Sequence, residues 1–229
     1  MDNLNNTSIS QIYIGYEERE HRAYEVCKYS LERRNSKDVK VIKLRSQDIS
    51  EYERNWGEPQ STDFTFTRFW VPYLSGYKGY SIFVDCDFLF CAPIKDLEQY
   101  IDPDAAVSLV KHPEYIPHSL VKMDKIVQHR SYRKNWASLM VFNNAHPDNQ
   151  WLTPERLNNW RPGIDFHHIN WTDKIGSLPL EWNCLDGYYH LTEPKAIHYT
   201  DGGPWFDDYQ ETMYSHLWKS EEMDMHNGK

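Results

Sequence analysis

Asp85 and Asp87 flank a single residue, Cys86, directly after the apolar run Ser81–Val84 (SIFV). Side chains alternate along a strand, so two acids at that spacing point the same way. They also stand at the carboxyl end of the run, where open α/β sheets bind ligands. Like charges so close repel each other, and a cation relieves that repulsion. Carboxylate oxygens suit a hard divalent ion, Mn²⁺ or Mg²⁺. Asp-x-Asp alone is common and equally fits a solvated turn, so it needs support from elsewhere in the chain.

Two further segments supply that support. His198 ends the run Lys195–His198 and opens the loop His198-Tyr199-Thr200-Asp201-Gly202-Gly203-Pro204-Trp205. Its neutral imidazole is a candidate third ligand, and a mixed oxygen and nitrogen set favours Mn²⁺ over Ca²⁺. Gly202 and Gly203 allow close backbone approach to a phosphate and offer it N–H groups. Arg68, within Thr67-Arg68-Phe69, stands among aromatic residues. A guanidinium there is costly to bury alone, so its expected partner is a diphosphate or one of the paired carboxylates.

These residues need elements to carry them. Gln11–Gly15 (QIYIG) reads as a first strand ending in Gly. Ala23, Val26, Cys27, Ser30 and Leu31 recur at helical spacing, and Val39–Leu44 reads as a second strand. Strand–helix–strand points to a parallel α/β sheet. Ser61–Leu74 is expected as a helix with Phe66, Phe69, Trp70, Tyr73 and Leu74 inward, Ser61 or Thr62 as cap, and Pro72 kinking or ending it. Ser81–Val84, Ala106–Val110, Leu139–Phe142 and Lys195–His198 complete the strands. Thr153-Pro154 starts a helix. Tyr209–Leu217 is amphipathic, and Glu221 to Lys229 reads as a polar, frayed tail. Lys111–Asn135 reads as an excursion from the sheet on the acceptor side. The expectation is one domain over 1–229, with an ordered core at 10–220.

At 229 residues, with 40% hydrophobic and 26% charged residues, the chain is long enough to bury its own core. The net charge, 25 − 34 = −9, argues against a nucleic-acid partner or an anionic membrane. An acidic protein that binds a diphosphate needs local cations. The aromatic share of 15% fits sugar-stacking platforms, though composition alone favours a Trp- and Tyr-rich core. Cys27, Cys86, Cys91 and Cys184 have neither zinc nor disulfide spacing and read as reduced. The polar start, Met1–Ser10, lacks a signal-peptide pattern, and no apolar run spans a membrane, so a cytoplasmic protein is expected.

In sequence order, IYIGYEEREHRAYEVCKYSL, Thr67-Arg68-Phe69, Asp85-Cys86-Asp87-Phe88-Leu89, Ser138–Asn143, Leu178-Pro179-Leu180-Glu181-Trp182-Asn183 and the His198 loop form one ordered set. That set resembles glycosyltransferase family eight, which includes glycogenin and bacterial lipopolysaccharide galactosyltransferases, over most of the chain. The resemblance implies the GT-A fold, an α/β nucleotide-binding domain whose mixed, mainly parallel sheet is flanked by helices. It implies a UDP-sugar donor, a glycan or glycoprotein acceptor, and Mn²⁺ (or Mg²⁺) held by Asp85, Asp87 and His198. Donor-binding positions would be Ile14, Gly15, Tyr16 over the base, Arg19, Arg68, Asp85, Cys86, Gly202 and Gly203. Arg68 and Asp173 are the catalytic candidates, and retention of configuration is implied.

The sequence departs from the family in its last motif. Asp201 replaces a Gly, the loop is one residue shorter, and the Lys before Pro-Trp is absent. Gly202, Gly203 or Arg19 is expected to replace that Lys. Two rivals stand beside this reading: a non-catalytic sugar- or nucleotide-binding protein on the same fold, and a haloacid-dehalogenase-type phosphatase. The phosphatase pattern wants Thr or Val soon after the second Asp, whereas Phe88-Leu89 follows Asp87.

Overall fold

A computed structural model of the chain describes residues 7–54, 57, 60, 62–119, 123 and 132–228. The strands are β1 (Ile9–Gly15), β2 (Lys40–Leu44), β3 (Tyr80–Val84), β4 (Phe88–Phe90), β5 (Val107–Leu109), β6 (Leu139–Asn143), β7 (Ile175–Ser177), β8 (Cys184–Leu185) and β9 (Ala196–His198). The helices are α1 (His21–Arg34), α2 (Val71–Leu74), α3 (Lys95–Glu98), α4 (Pro147–Gln150), α5 (Pro154–Asn159), α6 (Ile164–His167) and α7 (Ser215–His226).

Six strands form one sheet in the order β2-β1-β3-β6-β5-β7, and β4-β9-β8 form a second sheet of three. β1 runs parallel to β2 and β3, and β5 parallel to β7. β6 runs antiparallel to both its neighbours, so the sheet is mixed. The reversal of β6 matters for the site: its start lies beside the end of β3, where Val84 pairs with Leu139. Every residue of β3 is buried, as a central strand covered on both faces requires.

α1 forms as its spacing predicts, burying Ala23, Tyr24, Val26, Cys27, Ser30 and Leu31. Asn35 closes it: its Nδ2 donates to Leu31 O at 2.8 Å and its Oδ1 accepts from Ile94 N at 2.9 Å. Thr153 caps α5 through the Arg156 N–H, with Pro154 in the first turn. The large aromatic side chains are mainly core, with Trp70, Trp182 and Trp218 fully buried.

Two expected elements differ. Ser61–Leu74 is not one helix. Turns lead into a 3-10 segment, Thr67–Trp70, and then the short α2. Phe64 through Val71 are all buried, so no polar stripe exists to give a helical period. Pro72 falls in the first turn of α2 and opens a helix instead of ending one. Thr62 is not a cap, and Ser61 lies outside the described residues. At the other end, Glu221 through His226 are not a frayed tail but the last turns of α7. Glu221 and Glu222 are buried because Arg34 and Arg22 of α1 receive them in bidentate pairs of 2.5–2.8 Å.

Candidate active site

The chain leaves β3 at Val84, and the next residues turn toward the small sheet. Asp85 N–H donates to Ser138 O at 2.9 Å, and Tyr199 N–H donates to Asp87 O at 3.0 Å. One acid is thus tied to the six-stranded sheet and the other to the strand that carries His198. β9 places His198 opposite Phe88 and Leu185. The ring is buried and stacks on Phe88 with centroids 4.4 Å apart. Its Nε2 stands 3.3 Å from Asp87 Oδ2. One ligand atom each from Asp85, Asp87 and His198 lies within 4.8 Å of the others.

Two carboxylates and an imidazole converging on one point fit a hard divalent cation. Arg68 supplies part of the compensating charge. Its guanidinium is buried, lies 3.0 Å from Asp85 Oδ1, and donates to Ala137 O at 2.7 Å and Phe64 O at 3.3 Å. Burial lowers its pKa, and the neighbouring acids oppose that shift. Two acids held this close repel each other, and a bound cation would relieve that repulsion.

These groups line a cavity of about 240 Å³, together with Phe64, Arg133, Lys134, Asn135, His167 and Thr200. Glu20 also lines it and is almost fully buried. Burial first, and then the charge of Asp87, pushes the Glu20 carboxyl up to about 8. The Cys86 thiol donates to Glu20 Oε2 at 3.2 Å. His167 is driven down to about 3, chiefly by burial and then by Arg68. Asn135 sits in the left-handed region at φ 64°, and its Nδ2 is buried with no hydrogen bond among the described residues.

Of the residues expected from the sequence, the structure brings Arg68, Asp85, Asp87 and His198 to this cavity. The remaining expected residues lie elsewhere, each for a visible reason. Ile14 is fully buried within the sheet, paired with Lys43 and Val84. Gly15 contributes by having no side chain: a Cβ there would stand 2.5 Å from the Phe64 ring, which lines the cavity. The Tyr16 ring packs edge-on against Tyr24 with Lys43 Nζ over it at 4.0 Å, and its hydroxyl donates to Glu18 at 2.8 Å. Arg19 pairs with Glu17. The Cys86 side chain turns to Glu20. Asp173 is exposed and lines a separate cleft with Trp136 and Asn170.

Gly202 does not offer its N–H to a ligand, because it donates to Tyr199 O at 2.9 Å. Its φ of 128° favours a glycine, and an added Cβ at Gly203 would meet the Trp205 ring, so loop packing also requires a glycine at both positions. The cations that line the cavity instead are Arg133 and Lys134, from the end of the segment read as an acceptor-side excursion. Asn183 is the main partner the sequence reading passed over. Its Oδ1 lies 3.1 Å from His198 Nδ1. It stood in the quoted Leu-Pro segment, but nothing local in that segment points at a histidine fifteen residues on.

No protein-family model matches the chain. Protein CDI of Arabidopsis thaliana is 41% identical over 222 residues, 92% of this chain and 85% of that protein. Among solved structures, the glycosyltransferase GlyE of Streptococcus pneumoniae TIGR4 superposes with a TM-score of 0.62 at 15% identity, covering 94% of this chain and 61% of that one. The bifunctional glycosyltransferase WbbM gives 0.60 at 14%, covering 97% and 53%. The galactosyltransferase LgtC, in complex with donor and acceptor sugar analogues, gives 0.57 at 13%, covering 93% and 95%. This chain therefore spans only part of GlyE and WbbM and nearly all of LgtC. Identities this low establish a shared fold alone. That fold is the GT-A arrangement expected from the sequence. Among the described residues no helix is long and apolar enough to cross a membrane.

Proposed function

The chain belongs to the family of Protein CDI, and from its fold and its site we propose that it is a divalent-metal-dependent glycosyltransferase using a nucleotide-diphosphate sugar. The observation that supports this most is the convergence of Asp85, Asp87 and His198 at the end of β3, in a cavity whose wall also carries Arg68, Arg133 and Lys134. A UDP-sugar donor, Mn²⁺ in preference to Mg²⁺, a glycan or glycoprotein acceptor and retention of configuration follow as parts of the proposal.

Bound at this cluster, the metal supplies Lewis-acid stabilisation of negative charge on the departing nucleotide diphosphate. The protein's own residues do the rest. Asp85, Asp87 and His198 fix the position of that charge. Arg68 holds Asp85 in place and keeps the acids from repelling each other apart. Without the metal, burial and then the charge of Asp87 raise the Glu20 carboxyl toward its neutral form. Arg133 and Lys134, which line the cavity, would supply the positive charge of the missing loop Lys. The buried amide of Asn135 is a ready donor to a ligand oxygen. Fixed donors of this kind stabilise developing charge without reorganising. The acids that line the cavity among the described residues are Glu20, Asp85 and Asp87, so Asp173 has no part in the proposed chemistry.

The test is a thermal-shift screen of nucleotide sugars with and without Mn²⁺. One nucleotide sugar should raise the melting temperature only when the metal is present. Stabilisation by no nucleotide sugar under either condition, with no donor hydrolysis, would favour a non-catalytic member of the fold.

A further inference from the structure

A histidine that ligates through one ring nitrogen must carry its proton on the other, and something must hold it there. The surroundings of His198 decide which nitrogen is which. Asn183 is fully buried, and its Nδ2 lies 3.1 Å from Asn135 O and 2.9 Å from Ser138 Oγ. A backbone carbonyl can only accept, so the NH₂ of Asn183 must face Asn135 O. The Ser138 hydroxyl agrees, because it already donates to the same carbonyl at 2.7 Å and is left to accept from Asn183. The amide therefore cannot be flipped. Its Oδ1 is the atom 3.1 Å from His198 Nδ1, and an amide oxygen can only accept. The proton of the neutral ring consequently sits on Nδ1. The lone pair is on Nε2, the atom beside Asp87.

We infer that Asn183 is a positioning residue for the metal site: anchored by Asn135 and Ser138, it fixes the tautomer and ring orientation of His198 so that Nε2 is bare toward the cation. The inference rests on the metal reading above. It also accounts for the left-handed Asn135, since that turn presents one carbonyl to both Ser138 and Asn183. Phe88 holds the plane of the ring by stacking, which leaves both flip states about Cβ–Cγ open, and the Asn183 contact selects one of them.

The experiment titrates the full-length protein with Mn²⁺ and follows free ion by electron paramagnetic resonance. In parallel, long-range ¹⁵N–¹H correlation spectra read the His198 tautomer of the Mg²⁺-loaded protein and of the metal-free protein at alkaline pH. The wild type should show the Nδ1–H form. Asn183→Leu should bind Mn²⁺ about 10- to 100-fold more weakly. Asn183→Asp, which keeps an acceptor beside Nδ1, should recover most of the affinity, a rescue that a merely structural role does not explain. A wild type in the Nε2–H form overturns the inference even if no variant folds. So does wild-type Mn²⁺ affinity in Asn183→Leu. A wild type that takes up no Mn²⁺ overturns the metal reading itself, and this inference with it.

Discussion

Two regions of the molecule bring acids together with basic groups, and they do so in different ways. Along the seam between α1 and α7 each acid meets its base: Arg22 with Glu222, Arg34 with Glu221, Arg33 with Asp224. At the end of β3 two carboxylates converge on an imidazole, with one guanidinium paired to Asp85. The seam is balanced as it stands and serves packing. The cluster gathers its acids around a point that the proposed divalent cation would occupy. Under that proposal, the first charge holds the chain together and the second serves its chemistry.

The largest effect that sharpens this contrast is at Asp87. Asp87→Ala should abolish metal-dependent turnover in a donor-hydrolysis assay. It should not lower the melting temperature of the metal-free protein, because it removes repulsion. Full activity in that variant ends the metal-dependent mechanism. At the seam the opposite is expected. Glu221→Ala strands Arg34 and costs about 1–2 kcal/mol in denaturant unfolding, with Mn²⁺ affinity unchanged. If the seam variant instead weakens Mn²⁺ binding, the two regions are not separate in the way argued.

A smaller effect lies in pH. The Glu20 carboxyl is raised to about 8 in the folded, metal-free protein, from an ordinary value near 4.5. Folding therefore favours the protonated form, and stability should fall as pH rises from about 4.5 through about 8. Glu20→Gln should flatten that limb and be the more stable protein at its upper end. His112 and His167 work from the acid side. Both are held down to about 3, chiefly by burial. The unfolded chain takes up their protons first, so stability should fall as pH drops below about 6.5 toward 3. Equal slopes in wild type and Glu20→Gln would remove Glu20 from the account. Gly15→Ala would set a Cβ 2.5 Å from the Phe64 ring in the core, and it should both destabilise the fold, by about 1–3 kcal/mol in denaturant unfolding, and weaken donor binding.

The sequence carried the strand–helix–strand opening, the central run before Asp85 and the run before His198, because periodicity and strand-end acids are local signals. It carried the Asp85, Asp87 and His198 cluster because the paired acids follow one apolar run and His198 ends another. It did not carry contacts made at a distance. Glu221 and Glu222 looked like a solvated tail since Arg34 and Arg22 stand 187 and 200 residues away. Tyr16 looked like a base platform, and only the fold reveals that Tyr24 and Lys43 enclose it. The glycines of the last loop were read for their freedom to meet a ligand, whereas that freedom admits Tyr209 and Trp205. Arg133, Lys134 and Asn135 had no motif, and they reach the cavity because β6 runs backward beside β3.

The division of the triad between sheets has a mechanical consequence. Asp85 is bonded to the entrance of β6 and His198 is woven between β4 and β8, so any ion shared by them spans a joint between two bodies of backbone. Its occupancy then works as a rivet. Amide protons of Leu89, Ile197 and Tyr199 should exchange with deuterium more slowly once the rivet is in, with little change in β1 or β2 on the far side of the sheet.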